Sequence, residues 1–160
     1  MPISIYGNVH KLSKKHSYHF YTKPFKLNCA IRLGNRKEVS MSVKHSNDIP
    51  SEPLPVGEGA SKAVLISDQE APNFAMRKFT IRPGGSMPLH INLVEHEQYV
   101  LNGKALLRIE DVIHEVQPGD VVFIPAKVPH SYESVGDEAF EFLCLIPNKF
   151  DETIIVEKIG

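Results

Sequence analysis

The sequence predicts an all-β domain, a sandwich or a barrel, on three observations. Short segments rich in Val, Ile, Leu and Phe run over residues 62–67, 74–81, 98–101, 105–110, 121–124 and 140–146, and such side chains suit the pleated, half-buried surface of a strand. Turn chemistry separates them at intervals of roughly 8 to 18 residues, the punctuation of sandwiches and barrels. No stretch of the body carries a sustained 3.6-residue apolar period of helix length.

Taken in order, residues 48–59 hold Pro50, Pro53, Pro55, Gly57 and Gly59 and read as a linker or lead-in loop. The segment 74–81 ends on the turn residues Arg82-Pro83-Gly84-Gly85. Asn102-Gly103 is a hairpin dipeptide, because a two-residue turn with positive φ at both positions favours it; it predicts that Tyr99-Val100-Leu101 pairs with Ala105-Leu106-Leu107. Asp111, Gln117-Pro118-Gly119-Asp120, Pro125 and Gly136-Asp137 supply the remaining turns. In 140–146, strand parity sets Phe140, Phe142, Cys144 and Ile146 on one face, predicted to look inward, with Leu143 and Leu145 on the other. Phe74, Met76 and Phe79 read as core rather than pocket lining, with Met76 or Arg77 within reach of the barrel mouth. Arg77 and Arg82 read first as solvated surface and second as binders of a carboxylate substrate, and His114 as part of a solvated hairpin strand.

With 160 residues and 42% hydrophobic content, the chain is long enough for one domain with a sizeable core. The net charge of −1 conceals a division. Residues 1–45 carry nine Lys and Arg against Glu38 alone, and the remainder nine against eighteen Asp and Glu. The chain is therefore read as a basic N-terminal extension, 1–45, and a barrel domain, 46–160. The extension mixes Lys, His, Tyr and Phe, but no nucleic-acid module surrounds it. The expectation is an extension that is poorly ordered or folds onto the acidic body or a neighbouring subunit. Met41 opens MSVKHSNDIP like a domain start, which suggests an over-extended translation start, testable by intact mass from the native host. Cys29 and Cys144 make no disulfide framework, consistent with a reducing, cytoplasmic setting. No apolar run has the length of a signal-peptide core or a membrane span, so no membrane association is expected.

Three histidines stand out. His90 and His96 lie in GGSMPLHINLVEHEQYVLNG, and His130 closes GDVVFIPAKVPH. In an extended segment residues two apart share a face, so His90, Asn92, His96 and Gln98 point one way if the loop between them keeps register. Glu95 and Glu97 then point the other way. One rigid segment fixing two ligands, completed by a distant third, is a metal-site arrangement, and imidazoles without thiolates suit iron, manganese, nickel, copper or zinc. His10, His16, His19, His45 and His114 lack such company and read as ordinary histidines.

These residues carry a family resemblance. Gly84, five residues, His90, one residue, Asn92, three residues, His96, and Gly103 closing the block resemble the first cupin motif, with Asn92 at its second histidine and His96 at its glutamate position. Gly119, five residues, Pro125, four residues and His130 resemble the second motif, with Lys127 at a common glycine position and Ser134 at a common asparagine position. Together with APNFAMRKFTIRPGG and the FLCLIP strand, the likeness runs from about Met41 to Pro147. It is similar to small single-domain bacterial and archaeal cupins that bind manganese or another divalent ion through four histidines.

The resemblance implies a double-stranded β-helix, a jelly-roll barrel with metal at its mouth, commonly assembled as a homodimer. It implies His90, Asn92, His96 and His130 as the metal residues, with manganese or iron foremost and nickel, copper or zinc as substitutes. Asn92 is then either a weak fourth ligand or a hydrogen-bond donor beside the ligands. Three functions follow: a dioxygenase-like oxidoreductase on a small molecule, a metal-assisted isomerase or lyase on a small polar or sugar-like substrate, or a non-enzymatic ligand-binding barrel with a relict site. Gln98, Tyr132 and Cys144 are the catalytic candidates, the first two as orienting groups and Cys144 as an oxidation target beside a redox metal.

Overall fold

The computed structural model describes residues 41–156. Expectations placed on residues 1–40, most of the basic extension and Cys29 among them, lie outside it. After a 3-10 turn at Ser46–Asp48 come β1 (Glu52–Pro53), β2 (Glu58–Ile66), β3 (Phe74–Asn92), β4 (His96–Asn102), β5 (Lys104–Ile109), β6 (Val112–Val116), β7 (Val121–Ile124), β8 (His130–Val135), β9 (Phe140–Pro147) and β10 (Thr153–Ile155). The strands hydrogen-bond in the order β6-β5-β8-β3-β9-β4-β7, with β2 and β10 also on β3 and β1 on β2. This is the all-β, double-stranded β-helix that the sequence predicts.

The long strand β3 organises the barrel. Its first half, residues 74–81, pairs with β2 and β9, while its second half pairs with β8 and β10. The expected turn at Arg82-Pro83-Gly84-Gly85 is therefore a bend inside one continuous strand. Gly84 has φ +70, and a side chain on Gly85 would press within 2.5 Å of the Glu58 carbonyl oxygen, so glycine lets the strand turn while β2 passes close behind.

The Asn102-Gly103 hairpin does not form. β4 pairs with β7 and β9, whereas β5 pairs with β6 and β8, so the dipeptide carries the chain from one half of the barrel to the other. The reason is tertiary: Asn102 Nδ2 donates to the Ala139 carbonyl at 3.1 Å, and Gly103, at φ +67, backs onto that same carbonyl. Hairpin chemistry needs only φ > 0, and this crossing uses it differently. The real hairpin lies one step on, joining β5 to β6 and leaving His114 exposed as expected.

Inward-facing side chains alternate along the strands as parity requires. Phe79, Phe142 and Tyr132 stack in sequence, with centroids 5.1 and 5.2 Å apart, above Ile81, Val100, Leu107 and Phe140. Phe140, Phe142 and Cys144 face inward as predicted. Phe74 does not join the core. It is 54% exposed at the first position of β3, where no further strand covers it.

Candidate metal centre

His90 and Asn92 end β3, His96 and Gln98 begin β4, and His130 begins β8; all five are buried. The loop at residues 93–95 preserves the parity argued from sequence, since Glu95 is exposed and Glu97 half-buried. His130 arrives by the ladder, in which it is the direct partner of His90. The turn before it is fastened to the same strand, because Lys127 N–H donates to the Asn92 carbonyl at 2.7 Å. Lys127 adopts φ +66, the left-handed conformation that favours glycine, the residue common at this place in the motif it resembles.

Local hydrogen bonds set the tautomers. His90 Nδ1 lies 2.7 Å from the Pro88 carbonyl oxygen and His130 Nδ1 lies 2.9 Å from that of Val128. A carbonyl only accepts, so each Nδ1 carries the proton and each Nε2 keeps its lone pair. The Nε2 atoms of His96 and His130 are buried without a hydrogen-bond partner. Ring centroids lie 4.2 Å apart for His90 and His130, and 5.5 Å for His96 and His130.

Charge completes the description. Burial is the main cause that lowers all three imidazoles below their ordinary pKa, His96 to about 3 with help from the Arg77 charge, and His130 to about 4 with help from His90. All three are thus neutral near pH 7, the form that binds metal. Among the described residues, no three His, Cys, Asp or Glu side chains already stand around a common ion position. The fit to a metal rests on chemistry: buried Nε2 atoms without a partner on His96 and His130, and carbonyl acceptors that leave the Nε2 lone pairs of His90 and His130 free, as metal-ligating histidines require.

Asn92 lines the same pocket. Its Nδ2 donates to Asp151 Oδ2 at 3.2 Å and Thr153 Oγ1 at 2.9 Å, and Asp151 Oδ1 accepts from Leu93 N–H at 2.9 Å. An ionised carboxylate cannot donate, which fixes the amide orientation. Asn92 therefore ties the chain leading into β10 across the mouth.

The catalytic candidates share the cavity. Gln98 Nε2 donates to Tyr132 Oη at 2.6 Å. Burial pushes the Tyr132 hydroxyl far above its usual range and raises the Cys144 thiol, so both stay protonated near neutral pH. The cavity, of about 80 Å³, also takes Leu54 and Val56 from the lead-in loop, Thr153 from β10, Arg77, in keeping with the second reading of that residue, and, unforeseen, Lys62. Arg77 is not the solvated surface residue expected; its guanidinium points inward, 5.2 Å over the Phe79 ring, with Nη2 donating to Cys144 Sγ at 3.2 Å. Strand parity carried the correction, since Arg77 lies two residues from Phe79 and directly opposite Cys144.

Residues 77–146 match the cupin domain family, and the barrel is similar in fold to solved structures of that superfamily. Cupin domains commonly bind metal ions. Among curated proteins, the chain is 32% identical over 77 residues to an uncharacterized protein of Methanocaldococcus jannaschii, covering 46% of this chain and 62% of that one. It is 30% identical over 77 residues to 1-methylthio-D-xylulose 5-phosphate methylsulfurylase of Rhodospirillum rubrum, covering 48% and 49%. The match thus spans about half to three fifths of these relatives. Among solved structures, a polyketide cyclase from Streptomyces resistomycificus superposes with a TM-score of 0.67 at 28% identity, covering 74% of this chain and 89% of that one.

Proposed function

We propose that the barrel is a metal-dependent oxidoreductase of dioxygenase-like type, acting on a small molecule at its mouth, with His90, His96 and His130 as ligands and Asn92 beside them. The observation that carries this reading is the convergence of three buried imidazoles on one pocket. Its lining contains no Asp or Glu, and Tyr132 and Cys144 are held protonated. Proton-shuttling reactions call for a group with a pKa near the working pH. A bound manganese or iron ion would supply Lewis-acid and oxygen-activating chemistry through the positions that three histidines leave open.

The chain's own residues do the rest. His90 and His130 present lone pairs whose direction is set by Pro88 and Val128. The Gln98–Tyr132 pair offers a fixed polar edge, and Phe79 and Phe142 form an apolar wall that keeps water from the floor. The names of the two characterised relatives, a methylsulfurylase and a cyclase, favour a second reading, a metal-assisted isomerase or lyase in which Gln98 or Tyr132 orients the substrate. The two separate on oxygen: the first consumes it, and the second is indifferent to it and works with zinc.

Elemental analysis of untagged protein, beside Asn92→His and His96→Ala variants, tests the metal itself. Near-stoichiometric manganese or iron in the wild type, lost in His96→Ala, supports the reading; less than about a tenth of an equivalent of every transition metal, with no gain in Asn92→His, retires it in favour of a ligand-binding barrel. A cytoplasmic homodimer belongs to the same proposal. Val121 at 77% and Phe123 at 57% exposure on the edge strand β7 support the dimer, and sedimentation of the full chain tests it.

A further inference from the structure

Arg77 occupies an uncommon position for a cation. It sits in register with Cys144 of β9, which is in register with Gln98 of β4, so the three form one row on the inner face of the barrel. Its Nε is buried without a hydrogen-bond partner, and its Nη2 meets the Cys144 sulfur. The ion pairs among the described residues use Lys44, Lys78, Lys104 and Arg108, and none involves Arg77 or Lys62. No Asp or Glu lines the cavity that holds both.

Arg77 is half-buried with its Nε shut off from water, and a charge held partly out of water is stabilised by a partner, because an unpaired one forfeits hydration without return. A protonated thiol is a weak, neutral acceptor and does not neutralise a guanidinium. The missing partner is therefore an anion from outside the chain. We infer that the pocket binds a small carboxylate, held by the Arg77 guanidinium with Lys62 adding charge at the rim, and that this group orients the ligand's remaining atoms toward His90, His96 and His130. The planar fork of Arg77, braced on Phe79, matches the two oxygens of a carboxylate. Size limits the ligand as well: about 80 Å³ is room for roughly five or six waters, hence an acid of a few carbons. The second half of the inference rests on the metal reading above, whereas the Arg77–carboxylate contact does not.

The test is calorimetric titration of untagged full-length protein with malonate, its neutral diamide malonamide and inorganic phosphate, with metal content measured on every sample. Wild type should bind malonate and ignore malonamide, and Arg77→Gln should weaken malonate by about 10- to 100-fold, the range for hydrogen bonds to charged groups. Arg77→Lys, which keeps the charge without the fork, should fall between them. Should Arg77→Gln fail to fold, the weakened binding of Arg77→Lys carries the comparison. Equal malonate affinity in wild type and the Arg77 variants, malonamide binding as well as malonate, phosphate binding in place of malonate, or no malonate binding at 20 mM (roughly the limit of a weak specific site) each overturns the inference. Metal-free wild type that still binds malonate through Arg77 would leave this inference standing even where elemental analysis retires the metal reading.

Discussion

His90 and His130 stand directly opposite one another in the β3–β8 ladder, their ring centroids 4.2 Å apart. Both rings are turned by the same device, an Nδ1–H donated to the carbonyl two residues earlier. Antiparallel pairing sets the distance, and a short-range hydrogen bond sets the tautomer. Two donors held neutral by burial thus face one cavity, with the Asp151 carboxylate near enough to oppose that effect only in part, and the consequences can be measured.

A site built for a ligand is costly when empty. The buried Nε2 of His96 lacks a partner, and such an atom costs about 1–3 kcal/mol. In EDTA, His96→Leu should therefore melt about 3 °C above wild type, the shift expected for roughly 1 kcal/mol in a chain of this size. Added manganese should raise the wild-type midpoint and leave the variant unchanged. A variant that melts below wild type in EDTA would show that the imidazole is satisfied in the metal-free protein.

Acid should unfold the barrel through these same rings. An unfolded histidine takes up a proton near pH 6.5, whereas the folded His96 and His130 resist until about 3 and about 4. The unfolded state then binds more protons across that window, so stability is fully present above about 6.5 and falls as the pH drops below it. The slope should approach roughly 1.4 kcal/mol per pH unit for each ring. Urea midpoints for the metal-free protein at pH 7, 6, 5 and 4 measure it, and His96→Leu should lose about half of the dependence; a flat profile would mean that the rings protonate freely in the fold.

Gly84 and Gly103 separate conformation from space. Their φ values are nearly the same, +70 and +67, yet a Cβ at Gly84 meets nothing within 4 Å whereas one at Gly103 would lie 2.4 Å from the Ala139 carbonyl oxygen. Gly84→Ala should cost about 1 kcal/mol, the backbone strain alone. Gly103→Ala should cost about 3 kcal/mol or more, since backbone must move. Chemical denaturation of both gives the difference, and equal losses would place the crossing elsewhere.

Asp151 holds the mouth through Asn92 and Leu93. Asp151→Ala should cost about 1–2 kcal/mol, leaving the Asn92 amide short of one acceptor. Amide exchange at residues 153–156 should speed up while that of β9 does not, because the loss is local to the β10–β3 ladder. Uniform acceleration would make Asp151 a determinant of the whole barrel. Asn92→His removes the same donor, so any gain in metal affinity should be accompanied by a looser β10.

Much of this architecture was legible from residue pattern. Period-two alternation placed Phe140, Phe142 and Cys144 inward, and the spacing from His90 to Gln98 kept its parity through the loop. What failed was what depends on distant partners. Asn102-Gly103 satisfies a hairpin's local demands, but Ala139, 36 positions along, decides where the chain goes. Arg77 read first as surface because charge normally is; its parity with Phe79 pointed inward, and the register with Cys144 of β9 decides between the two. The lead-in loop carried no sign that Leu54 and Val56 would line the cavity. That role depends on β1 pairing with β2 at the edge of the mouth.

The nineteen-residue β3 has a last consequence. Arg77 lies near its beginning and His90 near its end, so the cation and the imidazole half of the cavity belong to one unbroken run of backbone, turned at Gly84 and Gly85 and shifted in register between Met87 and His90. In most pockets the spacing of opposing groups is negotiated by loops that drift. Here it is a covalent ruler with two joints, and the length of molecule the cavity accepts is adjusted in part at two glycines outside the cavity lining.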